Sequence, residues 1–207
     1  LTRSGVSDII ILEQERSAGV HSSGGNASVI RQLIPDPSIA SLAQEGAAFL
    51  RNLPSDWPVP VNFEQNGSLL LGRSVEWENL TRDAEKARLR GIKVECWSRQ
   101  QAVEYVKVLK GAGFDGAVWC PADGVIDIHA LLYGYLKAAA SKGVKIRYGS
   151  PLRGIDTESN RVTGITTRDE RIRADVVINA GGPWAGLIAE MAGALKISLR
   201  PCRRHLF

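Results

Sequence analysis

The sequence has few cysteines, one methionine and three histidines, and each scarcity narrows what the chain can be. Cys96, Cys120 and Cys202 are odd in number and form no C-x-x-C pair, so neither a disulfide framework nor a zinc site has a basis. A reducing cytoplasm is the expected location. Long uninterrupted apolar runs are also missing. The most apolar stretch, residues 176–195, contains Asn179, Gly181, Gly182, Pro183 and Glu190 and makes a poor membrane span. The net charge of +4 comes from 26 basic and 22 acidic residues scattered along the chain, with Arg203, Arg204 and His205 as the longest basic cluster. Nucleic-acid binding needs a concentrated patch, so it is not expected. Met191 is the single methionine, and the chain reads as an internal piece of a longer protein.

What is present is an ordinary globular composition, 44% hydrophobic and 23% charged over 207 residues, enough for one domain or two small ones. The most informative stretch runs from Ile9 to Ser28. Four apolar residues, Ile9 to Leu12, suit a strand covered on both faces, and Glu13 follows at once, before a loop rich in Gly, Ser and Asn. In dinucleotide-binding folds a carboxylate at the end of the second strand accepts hydrogen bonds from a ribose, about 20 residues after a glycine fingerprint. Counting back that far from Glu13 passes Leu1, so the fingerprint is not in the sequence.

The remaining pattern alternates helices and strands. A short helix closes at Gly5, a helix is expected to begin near Asn26 and continue through Arg31, and Asp36-Pro37-Ser38 caps another that ends before Pro54. Pro54, Pro58 and Pro60 mark a connection. Strands are expected within 67–72, 92–97 and 114–119, with a charged helix over 76–90 and a short helix opened by the capping box Ser98…Gln101. These pieces predict a sheet with helices on one face. Asp127 caps a helix stopped by Gly143, Val144 to Tyr148 is a short strand, the third of a doubly wound sheet if Ile9–Leu12 is the second, and a meander over 153–167 leads to a buried parallel strand at Val176-Val177-Ile178. Ala180-Gly181-Gly182-Pro183-Trp184 and a helix to Ala194 follow. Glycines at two strand ends let a backbone approach a phosphate closely, and ligands of open α/β sheets bind at those ends.

The segments LEQERSAGVHSSGGNASVIRQL, PADGVIDIHALLYGYLKAAASKGVKI and ADVVINAGGPWAGLIAEMAG, then LRPCRRHLF, resemble the flavin-dependent D-amino-acid oxidase and dehydrogenase superfamily, and within it the D-arginine dehydrogenase group. The resemblance implies an α/β fold: a Rossmann-like FAD-binding parallel sheet interleaved with an α+β substrate domain, truncated in this chain. Residues 1–54 and 122–196 would be the two parts of the FAD-binding domain, 55–121 the first part of the substrate domain, and 197–207 the return to it. Glu13 would bind the adenosine ribose, with Gln14 beside it. Ser22, Ser23, Gly24, Gly25, Asn26 and Ala27 would line the pyrophosphate and approach the flavin ring. Pro151 and Leu152 would present backbone to the adenine, and Ala180, Gly181, Gly182 and Trp184 would close over the cofactor. Arg204 matches an arginine that pairs with the substrate carboxylate, a role suited to its two-donor fork.

Departures from the family pattern also carry information. Gly25 stands where relatives commonly place Arg, and near where relatives with covalent flavin place His, so FAD is expected to be noncovalent. Gly67 falls at or next to the carboxylate that recognises a cationic substrate, and Val29 and Ile34 occupy two other pocket positions, so arginine specificity is not expected. His21, His129 and His205 read as loop or helix-face residues. The function implied is oxidation of a D-amino acid or amine by hydride transfer to FAD, giving an imine and then an oxo acid. The residues name no catalytic base and no electron acceptor. Two alternatives stand beside it: a flavin dehydrogenase of a 2-hydroxy acid or glycerol phosphate, and a noncatalytic remnant with weak or no flavin binding.

Overall fold

The computed structural model describes residues 1–195 and 198–202. It is an α/β fold in two compact units, one of residues 1–25 and 139 onward, the other of residues 26–138.

In the first unit, β1 (Ile10–Leu12) pairs in parallel with β8 (Lys145–Arg147), Ile11 lying opposite Ile146. This is the expected neighbour relation. Three further strands, β9 (Gly154–Glu158), β10 (Arg161–Thr166) and β11 (Arg171–Arg173), form an antiparallel meander in the order β11-β10-β9. The short 3-10 turn Thr2–Ser4 ends at Gly5, whose φ of 82° is the left-handed conformation that glycine adopts without strain. Val176-Val177-Ile178 does not form the expected buried strand. No strand among the described residues takes up its N–H and C=O groups, and Val176 and Ile178 stand 75% and 63% exposed. The helix after Trp184 is shorter than expected, α5 (Ala185–Met191).

The second unit begins with a departure. Asn26 to Arg31 is not helical: Asn26 Oδ1 accepts a hydrogen bond from Ser28 N at 2.6 Å, Ser28 sits at φ 59°, and the β-branched Val29 and Ile30 form β2. An asparagine that bonds its own backbone offers the chain an alternative to the helix. Strand β2 and β3 (Phe63–Glu64) flank β7 (Gly124–Ile126) in one antiparallel sheet. Helix α1 (Pro37–Arg51) starts where Asp36 accepts from Ile39 N at 2.9 Å. A second sheet has β6 (Gly116–Cys120) between β4 (Ser68–Gly72) and β5 (Glu95–Ser98).

Successive side chains on β6 point to opposite faces, and both faces are covered rather than the expected one. Val118 and Cys120 join Leu33, Ala84, Ala87, Ile92 and Val94 in a core under α2 (Val75–Leu89). Ala117 joins Ala102 and Phe114 in a second core under α3 (Arg99–Tyr105), whose Ser98/Gln101 capping box is formed in both directions. A polar residue ties the two sheets together. Asp123 is fully buried, accepts from Ser68 Oγ at 2.6 Å and from Gln32 N at 3.0 Å, and its backbone oxygen accepts from Gly67 N at 2.9 Å. Burial, and then the neighbouring Asp123 carboxylate, push the Cys120 thiol up to about 12. Helix α4 (Ile128–Ser141) begins where Asp127 Oδ1 accepts from Ala130 N at 2.8 Å, and carries the chain back to the first unit.

Candidate dinucleotide site

The site is built at the carboxyl end of β1. Glu13 N donates to Arg147 O at 2.9 Å, which extends the parallel pairing one residue beyond the strand. Ser150 N donates to Glu13 O at 2.9 Å and Gly149 N to Glu15 O at 2.7 Å, so the loop after β1 is fastened to the loop after β8. Pro151 and Leu152 follow directly and are half-buried. The Glu13 carboxylate uses Oε1 to accept from Glu15 N at 2.9 Å, which aims the side chain. Gln14 beside it is exposed.

Gly24 is needed for space. A Cβ on Gly24 would stand 2.4 Å from Gly19 O, a backbone atom that cannot swing away, and Gly25 N closes the turn by donating to His21 O at 2.9 Å. Ser22 is exposed and Ser23 half-buried on the same turn. Asn26 and Ala27 fall in the second unit, where the Asn26 side chain is engaged with Ser28.

The other glycine turn is held by Asn179. Its Nδ2 donates to Ala185 O at 2.8 Å, its Oδ1 accepts from Gly181 N at 3.2 Å, and Trp184 N donates to Gly181 O at 2.9 Å. A Cβ on Gly181 would meet Ile188 Cδ1 at 2.3 Å, whereas Gly182, at φ 50°, faces open space. Ala180 and Gly182 are exposed.

His21, read from the sequence as a loop residue, joins the two turns. Its Nε2 lies 2.9 Å from Glu15 Oε1, and its ring centroid lies 4.8 Å from that of Trp184 at an interplanar angle of 59°. A histidine eight residues after the strand-end acid is too weak a signal to single out without coordinates. Arg204, the expected substrate arginine, and His205 lie outside the described residues. Among the described residues no group of three or more His, Cys, Asp or Glu side chains could hold a metal ion, and no helix is long and apolar enough to cross a membrane.

A strand-end carboxylate with one oxygen uncommitted, a turn closed to all but glycine and a second open glycine turn are the donor and shape set that a dinucleotide requires. The family model for FAD dependent oxidoreductases matches residues 1–207. The chain belongs to the FAD dependent oxidoreductase family. FAD is the cofactor of this family, and the residues at the end of β1 fit it. Among curated members, the chain is 24% identical over 200 residues to human mitochondrial sarcosine dehydrogenase, covering 93% of this chain and 22% of that protein. It is 25% identical over 183 residues to D-amino acid dehydrogenase of Rhizobium johnstonii, covering 87% of this chain and 44% of that one. The chain thus spans less than half the length of either relative. Of solved structures, L-proline dehydrogenase from P. horikoshii superposes with a TM-score of 0.79 at 22% identity, over 90% of this chain and 56% of that one, which shows a shared fold.

Proposed function

We propose that the chain is the cofactor-carrying part of an FAD-dependent dehydrogenase or oxidase that acts on an amino acid or amine. One observation carries this reading: Glu13, the Gly24 turn and the Gly181–Gly182 turn belong to one compact unit in which His21 links the turns. The FAD family match and the names of the two relatives, a sarcosine dehydrogenase and a D-amino acid dehydrogenase, support the substrate class.

Glu13 Oε2 accepts from the adenosine ribose with Gln14 at its side, and Pro151 and Leu152 offer backbone to the adenine. Ser22, Ser23, Gly24, Gly25, Asn26 and Ala27 line the pyrophosphate and approach the flavin ring. Ala180, Gly181, Gly182 and Trp184 close over the cofactor. Gly25 has no side chain to attach to the flavin, which is held noncovalently. FAD, when bound, would supply two-electron oxidation of the substrate carbon that bears the amine. Arg204 pairs with the substrate carboxylate. Gly67 places no carboxylate opposite a cationic side chain, so the finer likeness to D-arginine dehydrogenase does not extend to a preference for arginine.

The test is anaerobic titration of the full-length protein, loaded with FAD, with D-amino acids, N-methyl amino acids and 2-hydroxy acids in turn. Bleaching of the flavin by the amines, with ammonia or methylamine released, is the expected result. Bleaching by hydroxy acids alone would overturn the substrate assignment, and failure to take up FAD would overturn the whole reading.

A further inference from the structure

We infer that His21 is a positioning residue: it clasps the loop after β1 to the glycine turn at 181–182, and the strength with which the protein holds FAD depends on that clasp. The inference rests on the FAD reading above and adds to it a residue that makes no assumed contact with the cofactor. Glu15 is fixed first, because its N–H donates to Glu13 Oε1 at 2.9 Å and its carbonyl accepts from Gly149 N at 2.7 Å. Its carboxylate then holds His21 Nε2 at 2.9 Å. The His21 carbonyl accepts from Gly25 N and so ends the tight turn at Gly24, while the His21 ring packs on Trp184. Trp184 is itself bonded through its N–H to Gly181 O. A continuous path of short contacts therefore runs from the ribose acid, through His21, to the second glycine turn.

The clasp sits near the surface, with the His21 and Glu15 side chains 43% and 36% exposed. An exposed ion pair alone is a weak tie, and the ring contact is the larger part. A loop that must be ordered to bind pays for that ordering out of affinity, so a pre-formed clasp tightens binding. Ring and ion-pair energies of this kind correspond to about a tenfold change in a dissociation constant.

The experiment is a double-mutant cycle on the full-length protein, read as the Kd for FAD from flavin fluorescence, with circular dichroism of the flavin-free variants confirming that each is folded. His21→Ala is expected to raise the Kd about tenfold, and Trp184→Ala at least as much, because Trp184 also closes over the cofactor. The double variant is expected to be no weaker than Trp184→Ala alone, because the His21–Trp184 contact is already gone. Trp184→Phe, which keeps a ring against His21, is expected to stay within about twofold of the wild type. Should His21→Ala not fold, His21→Gln decides the matter, since it keeps the turn and a hydrogen-bonding group for Glu15 and loses only the ring, and a wild-type Kd in that variant would overturn the clasp. If the wild type binds FAD and these substitutions leave the Kd unchanged, or act additively, the clasp is wrong and the cofactor assignment stands. If the wild type binds no FAD, both fall.

Discussion

In residues 26–138 the sheet β4-β6-β5 is packed on both faces, and Leu33, Ala84, Ala87, Ala102, Ala117, Val118 and Cys120 are all at most 2% exposed. In the other unit the buried apolar residues are Val144, Ile155 and Ile165, at 8–9% exposure, while Val176, Ile178 and Leu187 stand 75%, 63% and 57% exposed. Among the described residues, both clusters of mutually packed buried apolar side chains belong to the second unit. The first unit is held instead by its strand pairings, by backbone bonds between loops, by the tight turn at Gly24 and by exposed polar and ring contacts. A well-packed core specifies a rigid scaffold, whereas ligand-binding loops come from the low-stability end of a structure. Binding then supplies stability that burial does not, because any ligand that binds only the folded state stabilises it.

This contrast makes graded predictions. The largest effect is expected at Asp123→Ala, which leaves Ser68 Oγ and Gln32 N as buried donors without their acceptor; at about 1–3 kcal/mol per orphaned group the loss is about 4 kcal/mol. Chemical denaturation measures it, and a loss below about 1 kcal/mol would show that Asp123 is not the tie between the sheets. Next, Leu33→Ala in the second unit should cost about 3 kcal/mol by opening a cavity, and Ile178→Ala in the first unit less than about 0.5 kcal/mol, because Ile178 has little contact to lose. Equal losses at the two sites would break the comparison. Removing the cap with Ser98→Ala should cost about 1 kcal/mol and unfold α3 locally, as hydrogen exchange of residues 99–105 would register.

The last effect is absent at neutral pH. The Cys120 thiol ionises near 9 in the unfolded chain and near 12 in the folded one, so the folded state binds the extra proton in between. Below pH 9 both states hold the proton and the thiol adds no pH dependence, and stability is lost as pH rises from 9 toward 12. Cys120→Ala should flatten the alkaline limb of a stability profile between those values. An unchanged limb would remove Cys120 as its cause.

Much of the frame was legible in the sequence, for local reasons. Asp36, Ser98 and Asp127 each cap a helix with a side chain bonded three residues ahead, and Gly5 and Gly143 end elements at positive φ. Strands β1 and β8 were expected as the second and third strands of a doubly wound sheet, from the alternation of strands with helices along the chain. What was not legible depends on partners far along the chain. Strands β2, β3 and β7 are two or three residues long, too short for any periodicity, and Asp123 reaches Gln32 across 91 residues. Val176-Val177-Ile178 has the composition of a buried strand but lacks a neighbour, and composition cannot supply one. At the site, Glu13 and the glycines were marked by the pattern of a strand followed by small residues. His21 was not, because its role is made by Glu15 and Trp184, and Trp184 lies 163 residues further on.

The central claim is that the loops at the end of β1 and the turn at 179–184 together hold FAD, while the sheet β4-β6-β5 with α2 and α3 forms a scaffold that stands without it. Backbone hydrogen exchange of the full-length protein with and without FAD tests it most directly. The account predicts added protection at residues 13–27, 149–152 and 179–184, with exchange in β4, β5, β6, α2 and α3 unchanged. Protection that appears first in those strands and helices, or none at residues 13–25 and 179–184 when flavin is bound, would contradict it.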